Sequence, residues 1–205
     1  MNVGIAGRIA AACVAITAWV GLGVQCVVLY RENLSVGLTL WILFAFFTIT
    51  TNLLVAAVFT GVAADRTALR SDGVIAGTML AILLVGIIYG LLLHGTAELS
   101  GGSAVANVIL HMVIPVMVPL FWIFFARKGG LNWRHPLWWA IYPLAYLAYA
   151  LVRGAATGKY PYPFMDVAVL GWQRTALNAA VIAAGFLLSG YAVVWVDRRM
   201  APRRK

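Results

Sequence analysis

Several polar side chains lie inside two strongly apolar stretches of this chain. Thr48, Thr51 and Asn52 fall within FFTITTNLLVAA. Asn107 and His111 fall within the second stretch, which includes NVILHMVIP. They are four residues apart, which places them on one face of a helix. A hydroxyl, an imidazole and nearby amides are the groups that a hydroxyl nucleophile and its general base require. Each could also be structural, because a threonine hydroxyl or an imidazole can bond a carbonyl of its own helix.

The composition predicts an integral membrane protein. Hydrophobic residues make up 63% of the 205 residues and charged residues only 10%, and the mean hydropathy is +0.94. A water-soluble fold could hardly sustain this balance. Uncharged runs of about 17 to 25 residues are long enough for a helix to cross a bilayer. We predict an all-α fold, a single domain over 1–205 with six transmembrane helices at 9–29, 38–60, 74–93, 104–125, 137–152 and 171–196.

The fifth predicted span is the least regular of the six. It is the shortest and contains Pro143, which cannot donate a helix hydrogen bond. A re-entrant segment is the alternative there. Tyr142, Tyr146 and Tyr149 share one face of this helix, where they either pack in the core or line a lipid tunnel.

The distribution of cations predicts the orientation. If the spans alternate in direction, eleven Lys and Arg residues lie on one side and four on the other, and the positive-inside bias makes the richer side cytoplasmic. We therefore expect a multi-pass protein of the cell membrane with both termini in the cytoplasm. The richer side holds Arg8, Arg66, Arg70, Arg127, Lys128, Arg134, Arg198, Arg199, Arg203, Arg204 and Lys205, and the other side holds Arg31, Arg153, Lys159 and Arg174.

Depth along the predicted helices brings the hydroxyl and the imidazole to comparable levels. Counted from the outer ends of their spans, Thr48 lies roughly 15 Å and His111 roughly 10 Å down the helix. Gln25 and Tyr89 reach a similar depth. A side chain of one helix could bridge to the other if the two helices are neighbours.

Small residues four apart predict close contacts between helices. The third span contains two such pairs, Gly73 with Gly77 and Gly86 with Gly90. They favour a compact bundle but do not identify a partner, so the oligomeric state is left open.

Three motifs resemble the family of the androgen-induced gene 1 protein and the androgen-dependent TFPI-regulating protein. They are FFTITTN on the second span, NVILHMVIP on the fourth and YPYPFMDV before the sixth, and a bacterial branch of the family is also similar in YPLAYLAYALVRG. The resemblance covers nearly all of the chain. It implies a six-span membrane hydrolase that uses a threonine and a histidine, and an ester substrate like the fatty acid esters of hydroxy fatty acids that animal members cleave.

The resemblance assigns roles to particular residues. The family's histidine follows an Asn by four positions, as His111 follows Asn107. FFT matches best at Thr48, although animal members carry an amide or carboxylate three residues after the threonine and Asn52 is four after it. Thr51, one turn further on, is the alternate nucleophile.

These roles predict a mechanism. His111 takes the proton of Thr48 as the hydroxyl attacks an ester carbonyl, Asn52 or Asn107 donates to the oxyanion, and an acyl-threonine forms. No carboxylate is placed to orient the imidazole, so an amide or Tyr89 is expected to do so. Around the substrate we also expect Gln25, Tyr146 and Tyr149.

The connection RGAATGKYPYPFMD, on the predicted outer side, has two interpretations. Pro161 and Pro163 impose extended backbone, and aromatic rings alternate with them. The connection could cap the pocket, or it could anchor its neighbouring spans at the membrane surface.

Three other functions are weighed against hydrolysis. His94, His111 and Glu98 are the candidates for a metal or haem site, but they lack tight ligand spacing, so we predict no metal and no cofactor. A small-molecule transporter and a non-catalytic lipid-binding protein are the alternatives, although embedded carboxylates typical of transporters are absent. The basic tail is typical of a membrane flank, so we expect the bilayer and a lipid ester as partners and no nucleic acid.

Overall fold

The architecture is entirely helical over the described part of the chain. The computed structural model describes residues 4–95 and 98–202, of which 81% are helical and none form a strand. This confirms the predicted all-α class. The α-helices are α1 (Ile5–Asn33), α2 (Val36–Leu43), α3 (Phe47–Ala63), α4 (Asp72–Ile88), α5 (Gly101–Val108), α6 (Ile114–Phe125), α7 (His135–Thr157) and α8 (Val167–Arg199).

Two of the helical rods contain a π-helical turn. α4 continues as a π-helix over Tyr89–Leu93, and α5 joins α6 through another over Ile109–Val113. A short 3-10 helix, Pro163–Met165, precedes α8. π-Helical turns inside longer helices are frequent at functional sites.

Four helical stretches in the described residues are long and apolar enough to cross a membrane. They are Ile5–Asn33, Asp72–Leu93, Gly101–Phe125 and Val167–Arg199. The bent pair α2 and α3 makes a fifth if it counts as one span. The fold is therefore consistent with a polytopic membrane protein. α7, on the fifth predicted span, has the length to cross with its 23 residues but is not among these apolar candidates.

The straight second helix predicted over 38–60 is wrong. α2 ends at Leu43, α3 begins at Phe47, and the two helices are bent by 93°. Thr48 is consequently the second residue of α3, so its depth is not the one counted along a continuous helix. α7 side chains bond backbone carbonyls around the bend: the Tyr146 hydroxyl donates to Ala45 at 2.6 Å.

A second α7 residue holds α2 from the other side of the bend. The Arg153 guanidinium donates to the Trp41 carbonyl at 2.6 Å and lies 3.9 Å above the Trp41 ring. It also donates to the Tyr149 hydroxyl at 2.8 Å. Helix ends leave carbonyls without a partner in the helix, and here α7 supplies donors.

α3 is the central helix and α8 a peripheral one. Eleven of the 17 residues of α3 are buried, and its Val55 and Phe59 belong to the main apolar core with Ile82 of α4. In α8 only five of 33 residues are buried, and Gly171 interrupts it with φ 73° and ψ 163°. α8 therefore presents most of its apolar surface outward, as a lipid-facing helix does.

Residues expected on the same side of the membrane lie at the same end of the bundle. Arg8 of α1 donates to the Ala63 carbonyl at the end of α3. Asp197, fully buried near the end of α8, accepts from the backbone of Gly129 and Leu131 in the loop after α6. Three further cations of this group, Arg203, Arg204 and Lys205, lie outside the described residues.

Three of the four predicted glycine contacts are present. Gly73 and Gly77 lie against His135 and Trp139 of α7, and Gly86 lies against the ring of Pro115. A Cβ at any of these three positions would approach its neighbour to less than 3.0 Å. The expectation for Gly90 is wrong, because nothing lies within 4 Å of where its Cβ would be.

Candidate active site

The hydroxyl of Thr48 and the imidazole of His111 meet between α3 and the π-helical turn before α6. Thr48 Oγ1 lies 3.1 Å from His111 Nε2. The Thr48 side chain is buried, with 7% of the residue exposed. This is hydrogen-bonding distance for a nucleophile and its general base.

The other imidazole nitrogen fixes which tautomer is present. His111 Nδ1 lies 3.2 Å from the backbone carbonyl of Asn107. A carbonyl oxygen can only accept, so Nδ1 carries the hydrogen and Nε2 presents a lone pair to Thr48. The orienting group is thus a main-chain carbonyl, where the sequence had suggested a side-chain amide or Tyr89.

Tyr89 supports the imidazole from its flat side. Its ring stacks on the His111 ring at 4.4 Å between centroids and 26° between planes. The Tyr89 hydroxyl accepts from Asn107 Nδ2 at 2.6 Å and lies 3.3 Å from His94 Nδ1. The Asn107 side chain therefore bonds Tyr89, which leaves its backbone carbonyl to orient His111.

A proline explains why the helix changes its pitch at His111. Pro115 has no N–H to give to the carbonyl of His111, four residues earlier, and its ring crowds that carbonyl. The helix responds with the π-helical turn Ile109–Val113. Gly86 of α4 leaves the space for the Pro115 ring.

Asn52 connects the two halves of the site but does not face the reacting hydroxyl. Its Nδ2 donates to the carbonyls of Thr48 at 2.9 Å and Leu110 at 3.3 Å. Both amide hydrogens are thus used, and Asn52 is fully buried. The expectation that Asn52 donates to an oxyanion does not fit this geometry. Asn52 instead holds α3 against the π-helical turn.

Thr51, the alternate nucleophile, is directed to another neighbour. Its hydroxyl lies 3.0 Å from the Tyr142 hydroxyl of α7, which also donates to Thr50 Oγ1 at 3.0 Å. Of the two candidates, Thr48 is the one in contact with His111. The geometry therefore favours Thr48 as the nucleophile.

Tyr146 and Tyr149, the two other tyrosines expected near the substrate, lie in different surroundings. Tyr146 packs its ring against Phe47 at 4.9 Å and holds the bend before α3. Tyr149 bonds Arg153 and is 41% exposed. Tyr149 lines neither of the two cavities beside Thr48, so the structure does not bring it to the pair.

Tyr162 is a site residue that the sequence did not single out. Its hydroxyl accepts from the Thr48 N–H at 3.4 Å and lies 3.5 Å from Thr48 Oγ1. Burial raises the pKa of Tyr162, and hydrogen bonds with Thr48 oppose that rise more weakly, so the hydroxyl stays protonated at neutral pH. Pro161 and Pro163, which restrict the backbone on both sides of Tyr162, were the signal available in the sequence.

A polar-sided cavity opens onto the pair. Its volume is about 460 Å³, and it is lined by Thr48 and His111 together with Tyr89, Asn107 and Gln25. Gln25, Tyr89 and Asn107, which the sequence suggested for the substrate or the oxyanion, thus line this cavity. The exposed Glu32 also lines it and marks a route to solvent. Within 4–95 and 98–202, no three His, Cys, Asp or Glu side chains converge as metal ligands, and His94 bonds Tyr89.

The comparisons with known proteins identify no family. No protein-family model, no curated protein and no solved structure matches this chain.

Replacing Asn52 tests its role as a connection between helices. Asn52→Ala removes two hydrogen bonds to buried carbonyls and is expected to lower the free energy of unfolding by about 1–3 kcal/mol. Asn33→Ala is the matched control, because the Asn33 amide donates to the Leu29 carbonyl of its own helix and so connects no second helix through that bond. Thermal unfolding in detergent measures both variants, and equal stability of the two would contradict this role.

Proposed function

We propose that this chain is an intramembrane lipid ester hydrolase of the threonine type, acting on an ester similar to the fatty acid esters of hydroxy fatty acids. The observation that carries the proposal is the 3.1 Å contact between Thr48 Oγ1 and His111 Nε2 inside a solvent-connected cavity. The resemblance of FFTITTN and NVILHMVIP to the androgen-induced gene 1 family supports the same reaction class and the same two residues.

The first half of the reaction acylates the threonine. His111 Nε2 removes the Thr48 hydroxyl proton while Oγ1 forms a bond to the ester carbonyl carbon. The same proton then passes from His111 to the alcohol oxygen as the ester bond breaks. The Asn107 carbonyl stabilises the imidazolium formed in between, because it accepts from Nδ1.

The oxyanion is served by donors at the start of α3. The Thr48 N–H belongs to the first turn of the helix, whose N–H groups have no partner within the helix, and it donates to the Tyr162 hydroxyl, which the oxyanion replaces as its acceptor. The Tyr162 hydroxyl shares this place and remains a neutral donor. Donors fixed in advance of the reaction stabilise developing charge effectively in a dry site.

The second half of the reaction needs water. Water reaches the acyl-threonine through the cavity that holds Gln25 and the exposed Glu32. His111 takes one of its protons, the hydroxide oxygen bonds the acyl carbon, and Thr48 leaves with the proton from His111. The products are a free fatty acid and the restored threonine.

We further propose six membrane spans with both termini in the cytoplasm. α2 with α3 and α7 add two spans to the four apolar helices. The excess of Lys and Arg at the end of the bundle that holds Arg8 supports this orientation. Thr48 and His111 then lie toward the outer leaflet, from which a lipid ester enters.

Substitutions of the pair test the reaction. Thr48→Val and His111→Ala are each expected to lower kcat for ester hydrolysis at least about 10³-fold, while Thr48→Ser keeps a hydroxyl and part of the activity. Thr51→Val is the matched control and should hydrolyse at a rate close to that of the unmodified protein. Turnover is measured with a lipid ester in detergent micelles, and full activity in Thr48→Val would refute the nucleophile.

The oxyanion donor is tested separately. Tyr162→Phe keeps the ring that packs against Phe46 and Phe164 but removes the hydroxyl. We expect kcat to fall about 10²-fold with little change in KM, because the lost bond is strongest in the transition state. Tyr160→Phe in the same connection is the control. A KM effect without a kcat effect would assign Tyr162 to substrate binding alone.

A further inference from the structure

A second cavity also borders Thr48. It lies between α4, α7 and α8 and has a volume of about 130 Å³. Its walls are almost wholly apolar, with Leu84, Pro143 and Phe186 among them. Thr48 and Tyr162 line both cavities, so the reacting hydroxyl lies where this apolar chamber meets the polar-sided cavity.

The apolar chamber extends along α8. Its wall on α8 runs from Thr175 to Leu187, twelve residues or roughly 18 Å of helix. The small side chains of Ala179 and Ala183 lie between the larger ones and leave the space open. An ester whose carbonyl is at Thr48 can place its acyl chain here and its alcohol part in the polar-sided cavity.

One polar group in this chamber has no partner among the described residues. Thr175 is 2% exposed, and its Oγ1 makes no hydrogen bond. Thr39 shares this condition but lines neither cavity. A buried hydroxyl without a partner costs free energy that a ligand acceptor or donor can recover.

The interruption of α8 explains why this hydroxyl lacks a partner. Threonines within helices commonly donate to the carbonyl four residues earlier, as Thr17, Thr60 and Thr157 do here at 2.7–2.8 Å. The residue four before Thr175 is Gly171, whose φ of 73° and ψ of 163° are not helical. The usual acceptor is therefore displaced.

We propose that the apolar chamber binds the acyl chain of the ester and that the Thr175 hydroxyl recognises an oxygen-bearing group, a hydroxyl or a ketone, on that chain. The assignment of the chain as an acyl group rests on the proposed hydrolysis. The recognition by Thr175 rests on the chamber and its unpartnered hydroxyl. The protein then prefers oxygenated acyl chains to plain ones of the same length.

Binding to a hydrolysis-deficient protein tests the proposal. Hexadecanoic acid and hydroxyhexadecanoic acids with the hydroxyl at successive carbons are titrated into Thr48→Ala protein in detergent. At least one hydroxylated isomer is expected to bind about three- to tenfold tighter than hexadecanoic acid, the gain from one added neutral hydrogen bond. Adding Thr175→Val should abolish the difference and keep the affinity for hexadecanoic acid, whereas Thr175→Ser should retain it.

A second variant tests the location. Ala183→Phe fills the chamber and should weaken binding of every acid in the series. The proposal is overturned if no hydroxylated isomer binds tighter, if the advantage survives Thr175→Val, or if Ala183→Phe leaves binding unchanged. Because binding is measured without turnover, a failure of the hydrolase proposal would appear in the kinetics of the Thr48 variants and not in these titrations.

Discussion

A backbone carbonyl or N–H released from a helix in an apolar environment has no water to bond, so the protein itself must supply a partner. Two interruptions bring the partners of this site together. At the bend before α3, Tyr146 and Arg153 of α7 donate hydrogen bonds to backbone carbonyls. At the π-helical turn, Asn52 of α3 bonds the Leu110 carbonyl. The site lies between the bend and the π-helical turn, where these side-chain hydrogen bonds to the backbone are made.

This constraint fixes the position of the Thr48 hydroxyl relative to the His111 imidazole. The bend makes Thr48 the second residue of a helix, where its N–H is free to bond Tyr162. The turn caused by Pro115 places His111 so that its Nδ1 bonds the Asn107 carbonyl and its Nε2 faces Thr48. A main-chain carbonyl thereby does the orienting that a carboxylate does in other hydrolytic sites.

Local patterns were enough to predict part of this arrangement. The four-residue spacing of Asn107 and His111 and the threonines within an apolar run pointed to the two helices, and the resemblance of FFT selected Thr48, which is the threonine in contact with His111. The bend before α3 has no such signal, because LFAFF contains neither Gly nor Pro and the bend depends on contacts with α7. The position of Tyr162, 114 residues from Thr48, likewise follows from tertiary packing.

Covalent trapping tests the central claim most directly, because a nucleophile that attacks an ester carbonyl also attacks an activated phosphonate. The purified protein is treated with a lipid fluorophosphonate, and the adduct is mapped by mass spectrometry of its peptides. The account predicts one adduct, on Thr48, that is lost when His111 is replaced by Ala. An adduct on any other residue would contradict it. It would also be contradicted if saturating amounts of the probe left Thr48 unmodified while hydrolysis continued.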